Sequence, residues 1–342
     1  MALKDIARIA GVSVSTASRV LNDPDYRCRE PGVRERVWKA AMEQGYTANE
    51  AARNLKMGSV GGRVFYIDVL MSRMDLEQTD PFFSELLRVV ESEIHRNLCI
   101  LSHISYKPIL SDDGKCAGMD LKKLVRETIE ESDGHGDGLI VLGKCNPEAL
   151  RLFSDHYKGI VSINRNSTNY EVDEVTCDGK KIAALAVSHL LSKGHKRIAY
   201  IGTTRNEARY DGFVETLEKH KLKIHKELII EVHHTEKDGY RAMERICALN
   251  ELPGAIYCAN DIIAIGALKY LSTHRTPYYS PSIMGSDDID EAQNTNPMLS
   301  TIRIPRVEMG RFAMHLLLDR LNGGHSSVTR IELEGKMMVR QT

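Results

Sequence analysis

Ser13, Ser15, Thr16, Ser18 and Arg19 crowd into seven consecutive residues, with only Val14 and Ala17 between them. A helix over about 14–22 puts hydroxyls and a guanidinium on one short face and turns Ala17, Val20 and Leu21 the other way. Hydroxyls and a planar fork of N–H donors make that outer face small and polar. A slim helix carrying them fits the major groove of DNA, where each base pair shows its own pattern of donors, acceptors and methyls. The ordinary alternative is a helical hairpin whose polar face is merely solvated.

No comparable set for catalysis is legible. Gly138-Leu-Ile-Val-Leu-Gly143-Lys144 begins like a phosphate-cradling loop, but Cys145 stands where Ser or Thr is needed and the run reads as a strand. G-x-G-x-x-G, H-E-x-x-H and G-x-S-x-G do not occur. Cys28, Cys99, Cys116, Cys145, Cys177, Cys247 and Cys258 are widely spaced, without C-x-x-C or zinc spacing. Most sit in apolar runs, as buried free thiols of a reducing cytoplasm do. His233-His234 reads as a solvated loop and not a metal site. The expectation is a non-enzyme without cofactor or metal. Asn166-Ser167-Thr168 spells a glycosylation sequon, but no secretory apolar segment follows Met1, and no apolar run approaches a membrane span.

These residues must be positioned by a chain of 342 residues, 42% hydrophobic and 27% charged, the composition of an ordinary folded protein. The length argues for more than one domain. Aromatic content of 6% speaks against a base-stacking platform. Net charge is −1, yet the first sixty residues carry ten Lys/Arg against seven Asp/Glu, a mildly basic head. Residues 1–57 read as helical. Leu3, Ile6, Ala7, Ile9 and Ala10 have helical spacing, Gly11 stops that helix, Ser13 caps the next, and a third begins near Pro31 and carries Val33, Val37, Ala40, Ala41 and Met42. Residues 49–57 suit a short helix, and Gly58-Ser59-Val60-Gly61-Gly62 marks a linker. From residue 63, apolar runs at 63–71, 98–104, 138–142, 159–163, 197–201, 227–232, 255–258 and 282–285 alternate with amphipathic stretches. Strands alternating with helices predict parallel sheets wound on both faces. The fold class is thus an all-α head plus an α/β body of two doubly wound lobes. Lobe one is expected over about 63–163 plus 292–322, and lobe two over 164–291 plus 323–342. The polar stretch 103–117 reads as an irregular surface excursion.

The run Asp5-Ile6-Ala7-Arg8-Ile9-Ala10-Gly11-Val12-Ser13-Val14-Ser15-Thr16-Ala17-Ser18-Arg19-Val20-Leu21-Asn22 closely resembles the N-terminus of the LacI/GalR family of bacterial transcription repressors, with Ala17 in place of the usual Val. The resemblance implies a helix-turn-helix on double-stranded operator DNA. Val14 and Ser15 fall on the base-reading positions, and the apolar Val14 suits a thymine methyl, unless it packs on the first helix. Ser18 and Arg19 match residues that contact phosphate and a base edge, while Ser13, Thr16 and Asn22 match phosphate ligands. Glu30 and Val33 replace the family's Ser and Thr before the third helix, which removes one phosphate donor. Tyr46-Thr47-Ala48-Asn49-Glu50-Ala51-Ala52-Arg53-Asn54-Leu55 looks like the family's hinge, with Ala48 for Pro. It implies DNA contacts from Asn49, Ala52 and Arg53, and a minor-groove wedge at Leu55.

The body resembles the family's periplasmic-binding-protein-like effector domain, which implies a small sugar held between the lobes. Asp80-Pro81-Phe82-Phe83 looks like the family's N-P-F-F, placing Asp80, Phe82 and Phe83 at the ligand. Asn164-Arg165 stands for the usual Asp-Arg. Arg209, before Tyr210-Asp211-Gly212-Phe213, matches R-x-x-G-(F/W) and offers a fork to vicinal hydroxyls or a carboxylate. In Cys258-Ala259-Asn260-Asp261, Asn260 is the expected ligand contact and Asp261 the cap of the next helix. Asp287 of Met284-Gly285-Ser286-Asp287-Asp288 is the expected hydroxyl acceptor, with Arg306 nearby. Pro297-Met298-Leu299-Ser300-Thr301-Ile302 resembles a strand crossing between lobes. The detailed texture is most similar to repressors of β-galactosidase operons, which makes a galactoside a candidate effector. No heptad tail follows Thr342, so a homodimer is expected, cytoplasmic and without membrane contact. Two other readings are a sugar-binding transport protein and a cytoplasmic sugar-modifying enzyme. The missing export signal and residues 1–57 speak against the first, and the missing catalytic set against the second.

Overall fold

The computed structural model describes residues 3–22, 26, 28, 32–33, 36–37, 39–40, 64–73, 80–111, 113–165, 171–274 and 279–342. The chain divides into two compact units, Met1–Val64 and Phe65–Thr342.

In the first unit, α1 (Leu3–Ala10) and α2 (Val14–Asn22) form where the sequence predicts them. Gly11 breaks the chain between them at φ +69°, a left-handed conformation that a side chain would disfavour. The Ser13 hydroxyl accepts the Thr16 backbone N–H at 3.1 Å and caps α2. Ile6, Ala7 and Ala10 of α1 bury against Ala17 and Val20 of α2 and against Val33, Val37 and Ala40, which are helical like Arg36 and Lys39. Ala17 is fully buried, so its small side chain admits the close crossing. The Arg36 Nε donates to the Ala10 carbonyl at 3.4 Å and satisfies one end of α1. The side chains of Leu21 and Asn22, the start of the third helix at Pro31, the hinge and the linker lie outside the described residues.

The second unit holds two parallel sheets. The first lobe contains β1 (Tyr66–Met71), β2 (Ile100–Tyr106), β3 (Gly138–Leu142), β4 (Gly159–Asn164), β5 (Asp173–Thr176) and β11 (Arg330–Glu332), in the order β11-β5-β4-β3-β1-β2. The second contains β6 (Ile198–Gly202), β7 (Ile229–Glu231), β8 (Ala255–Cys258) and β9 (Ser282–Met284), in the order β7-β6-β8-β9. Every residue of β3, β4, β6 and β8 is buried, which requires helices on both faces. These are α3 (Pro81–Arg96), α4 (Leu121–Glu130), α5 (Pro147–Ser154), α6 (Gly179–Ser192), α7 (Ala208–Lys219), α8 (Glu236–Cys247), α9 (Asp261–His274) and α10 (Arg306–Leu321). Between the lobes β10 (Thr301–Arg303) pairs antiparallel with β12 (Lys336–Met338), and Met284 and Asp287 bridge to Ser300 and Arg303. This is the crossing strand that the sequence predicts.

The lobe boundaries need correction. Asn164, the strand Asp173–Thr176 and the strand Arg330–Glu332 belong to the first lobe, because β5 pairs with β4 and β11 with β5. The buried carboxylates of β5 disguise it as a loop. Asp173 is wholly buried, yet its oxygens accept from Arg320 Nε (2.6 Å) and Nη2 (2.7 Å) and from the Thr329 N–H (2.8 Å). The stretch 103–117 is also less irregular than expected: β2 runs to Tyr106, a 3-10 turn covers Pro108–Ser111, and Leu110 and Cys116 are buried.

Candidate functional site

Two sites arise, one on each unit. On the head, α2 turns Ala17 and Val20 inward and therefore carries its polar residues outward. Ser13, Val14, Ser15 and Arg19 are exposed, while Thr16 and Ser18 are half-buried. Val14 is 41% exposed, so it does not pack on α1 and is presented outward. The Ser13 hydroxyl bonds those of Ser15 (2.9 Å) and Thr16 (2.8 Å). The Arg19 guanidinium lies 5.7 Å from the centre of the Tyr26 ring, a cation–π contact that limits its sweep. The Asn22 side chain and Asn49, Ala52, Arg53 and Leu55 lie outside the described residues.

In the body, the C-terminal ends of β1, β3 and β4 face those of β6, β8 and β9, the place where open α/β sheets bind ligands. Asp80 caps α3, its carboxylate accepting the Phe82 N–H at 3.0 Å. Phe82 and Phe83 pack edge to face at 5.1 Å, both buried. Over them lies Arg165, its guanidinium carbon 4.8 Å from one ring centre and 5.2 Å from the other. Arg165 Nη1 donates to both oxygens of Asp287, at 2.9 and 3.0 Å, and Nη2 stands 3.9 Å from Asp80. Because β4 is in one lobe and Asp287 follows β9 in the other, this buried pair bridges the lobes. Burial pushes the Asp287 carboxyl upward, and Arg165 opposes that rise.

Arg306 Nη1 and Nη2 donate to the carbonyls of Asp287 (2.9 Å) and Asp288 (3.1 Å), and Nη2 pairs with Glu85 at 2.7 Å. Asp287 and Asp288 adopt φ +127° and +55°, a strained backbone that turns both carbonyls toward Arg306. Arg209 is fully buried, and its expected fork is already occupied. Nε and Nη2 donate to the two oxygens of Glu207 at 2.7 and 2.9 Å, and Nη1 donates to the Ala259 carbonyl at 2.5 Å. Burial alone would raise the Glu207 carboxyl, but Arg209 holds it well below the usual carboxylate range.

Two expectations change roles. Asn260, not Asp261, caps α9, its oxygen accepting the Ile263 N–H at 3.0 Å. Asp261 reaches instead to the crossing segment, accepting from Thr301 Oγ1 (2.6 Å) and the Ile289 N–H (3.1 Å). Burial, then the negative charge of Asp287, push its carboxyl up to about 7. The Asn164 oxygen accepts the N–H of Arg165 at 2.8 Å and so steadies the Arg165 backbone. The structure thus brings together Asp80, Phe82, Phe83, Asp287 and Arg306, with Arg209 and Asn260 at the same strand ends.

It adds groups that sequence reasoning missed: Arg73, Glu85, Arg165, Glu207 and His234. His234 is half-buried rather than solvated, its Nε2 3.3 Å from Thr203 Oγ1. Burial, then Arg209 and Arg73, push its pKa well below the ordinary histidine value, so its ring is neutral at pH 7. Arg73 lies two residues past the end of β1 at Met71, and that position was its one legible signal. A pocket of about 540 Å³ lies elsewhere, between the end of α9 and the C-terminus, lined by Leu268, Tyr279, Pro281, Pro297 and Thr342. None of the predicted residues reaches it. Among the described residues no cluster of His, Cys, Asp and Glu could hold a metal, and no helix is long and apolar enough to cross a membrane.

An outward-reading helical head and a two-lobed α/β body with a polar cleft define a ligand-sensing DNA-binding regulator. Residues 2–49 match the family described as bacterial regulatory proteins, lacI family, and residues 187–342 match a periplasmic binding protein-like domain. The repressor CytR of Escherichia coli is 31% identical over 331 aligned positions, which cover 94% of this chain and 90% of CytR. The repressor PurR of Haemophilus influenzae is 28% identical, covering 99% of this chain and 98% of PurR. Among solved structures, a complex of the transcriptional regulator CelR with cellobiose superposes with a TM-score of 0.68 at 23% identity, covering 100% and 99% of the two chains. The chain belongs to the LacI family of bacterial transcriptional regulators.

Proposed function

We propose that this protein is a repressor of carbohydrate-metabolism genes whose hold on operator DNA is set by a small sugar between the two lobes. The observation that carries the reading is the outward face of α2, where Ser13, Val14, Ser15, Thr16, Ser18 and Arg19 stand clear of the apolar side that locks the helix in place. Two such heads in a homodimer address a pseudopalindromic operator, and the hinge around Asn49, Ala52, Arg53 and Leu55 sits in the minor groove at its centre. The cleft supports the other half of the reading. Its walls combine an aromatic pair with carboxylates and guanidinium groups, the means by which proteins hold polyhydroxylated molecules, and a related solved regulator carries ribose. The ligand acts through the lobe-bridging Arg165–Asp287 pair, and it shifts the DNA-binding equilibrium only by its difference in affinity for the two lobe arrangements. A cytoplasmic location and the absence of catalysis belong to the same reading, since CytR and PurR are repressors.

The test is electrophoretic mobility of genomic fragments with the purified full chain. One fragment is expected to shift in preference to random duplex, and Arg19→Ala combined with Leu55→Ala to abolish the shift. A protein that binds every fragment alike, whatever sugar is added, overturns the reading. Turnover of a glycoside by the same preparation points to the enzyme alternative instead.

A further inference from the structure

Four guanidinium groups converge on the cleft, and three of them are engaged. Arg165 holds Asp287, Arg209 holds Glu207, and Arg306 holds Glu85 with the carbonyls of Asp287 and Asp288. The fourth, Arg73, differs. Among the described residues nothing accepts a hydrogen bond from it or pairs with it, and its side chain is exposed. Yet it stands among charges. Burial within the surrounding walls, then repulsion from Arg165, lower its pKa, and Arg209 repels it further. The attractions of Asp80 and Glu207 are each smaller than the repulsion of their neighbouring arginine. Arg73 is thus open to solvent while standing within electrostatic reach of Arg165, Asp80, Arg209 and Glu207.

The position of Arg73 is also built. Gly143, at the end of β3 with φ +98°, lies so close under its stem that an added Cβ would stand 2.2 Å from Arg73 Cγ. The stem therefore runs across a glycine that no other residue could replace without displacing it. His234, facing the same cations, is neutral and adds a hydrogen-bonding ring without adding charge.

We propose that the effector is an anionic carbohydrate, a polyol body bearing a carboxylate or phosphate, and that Arg73 is the residue that binds its charged group. This rests on the reading of the cleft as the effector site. A guanidinium offers two parallel N–H donors to either oxyanion, and a cation with no counter-ion among the described residues gains most when one arrives. His234 lies in reach of the same charges and can donate to the anion. A neutral sugar leaves Arg73 without a partner and forgoes that gain.

The experiment is a thermal-shift and calorimetric comparison on the purified full chain. Galactose, galacturonate and galactose 6-phosphate serve as neutral, carboxylate and phosphate probes. One charged probe is expected to raise the melting temperature and to bind roughly tenfold or more tightly than galactose, with an affinity that falls as salt is added. Whichever charged arm responds identifies the anion. Arg73→Gln is expected to erase that preference while Arg73→Lys keeps part of it. A ligand-free readout stands beside this: since Arg73 is repelled by its neighbours, Arg73→Gln should raise the melting temperature of the unliganded protein. Galactose binding as well as either charged probe overturns the inference, as does no response to any of the three. So does a melting temperature that drops on Arg73→Gln, because that reveals a structural partner. If a neutral sugar releases the operator, the proposed function stands and only the anionic effector falls. If operator binding itself is absent, the functional reading fails independently of Arg73.

Discussion

The two sites use polar residues in opposite ways. On the head, the polar face of α2 points outward, and Ser13, Ser15, Thr16 and Arg19 meet there in a serine–threonine cap and the Arg19–Tyr26 contact. In the cleft the charged residues are engaged with one another, Arg165 with Asp287 across the two lobes, and Arg209 with Glu207 and Arg306 with Glu85 each within one lobe. A surface that reads a large external partner keeps its donors available. A cleft that must respond to a small molecule keeps its charges in mutual balance, so that a ligand acts by competing for them. Replacements should therefore cost fold stability in the cleft and recognition in the head, and four predictions press on that contrast.

The largest effect is expected at Glu207. Its removal by Glu207→Ala leaves Arg209 buried with most of its charge uncompensated, an event that costs about 3–5 kcal/mol. Chemical denaturation should show that loss, and the same change at Glu215, which pairs with Lys180 at the surface, should cost under about 1 kcal/mol. Equal effects at the two positions would erase the distinction between a buried balance and a solvated pair.

Next comes pH. Asp261 has an ordinary carboxyl value of 3.8 and a folded value of about 7. A group whose folded pKa is raised contributes stability below its unfolded pKa and loses it as pH rises through the folded one. The contribution is therefore full below about pH 4, declines toward pH 7 and is gone above it. Between pH 5 and pH 8 the change is about 2–3 kcal/mol. Melting temperatures of the wild type and Asp261→Asn, followed from pH 5 to 8, should diverge in slope by that amount, with the wild type falling more steeply. The charges around it, Asp287 and Asp288, come from the loop after β9, while Thr301 and the Ile289 N–H bond it directly. Parallel slopes would mean that Asp261 is ionised throughout.

The same contrast explains what the sequence made legible. The head was readable because its determinants are local: Gly11 breaks α1, Ser13 caps α2, and burial alternates with helical period within eighteen residues. The alternating strands and helices of the body were readable for the same reason. β5 and β11 were not: β5 carries the buried carboxylate of Asp173, satisfied by distant Arg320 and Thr329, and β11 is a three-residue edge strand, so both look like loop in one dimension. The cleft was readable in membership more than in role. Asp80, Phe82, Phe83, Asp287 and Arg306 do converge, but Asn260 spends its oxygen on capping α9, and Arg209 spends its fork on Glu207. Both outcomes depend on neighbours fixed by local backbone geometry rather than by residue type. Arg73 was overlooked because what marks it, two repelling arginines and no ion-pair partner among the described residues, is displayed by no spacing.

At the head, Arg19→Ala should weaken binding to the preferred fragment by about 1–3 kcal/mol, the range for one good base contact, while the melting temperature stays within error. Arg19 is exposed, and its guanidinium stands 5.7 Å from the centre of the Tyr26 ring, so little folding energy is at stake. A drop in both quantities would show that Arg19 holds the head together instead of reading DNA.

Val14 sharpens the comparison at its smallest scale. An apolar residue left 41% exposed at the start of α2 contributes little to the core, which Ala17 and Val20 fill from the opposite side. In the proposed reading its value lies outward, against the methyl of a thymine. Val14→Ser removes that apolar contact while leaving the helix, its cap and its phosphate ligands in place. Stability should change by less than about 0.5 kcal/mol, as surface substitutions do. Affinity for the preferred fragment should fall by about 1 kcal/mol, toward the low end for a single base contact, and the loss should be confined to one position of each half-site. A panel of operators substituted one base pair at a time measures this directly. A uniform loss at every position would place Val14 in the backbone-positioning set with Ser13 and Thr16, and would leave Ser15 and Arg19 as the groove-reading residues.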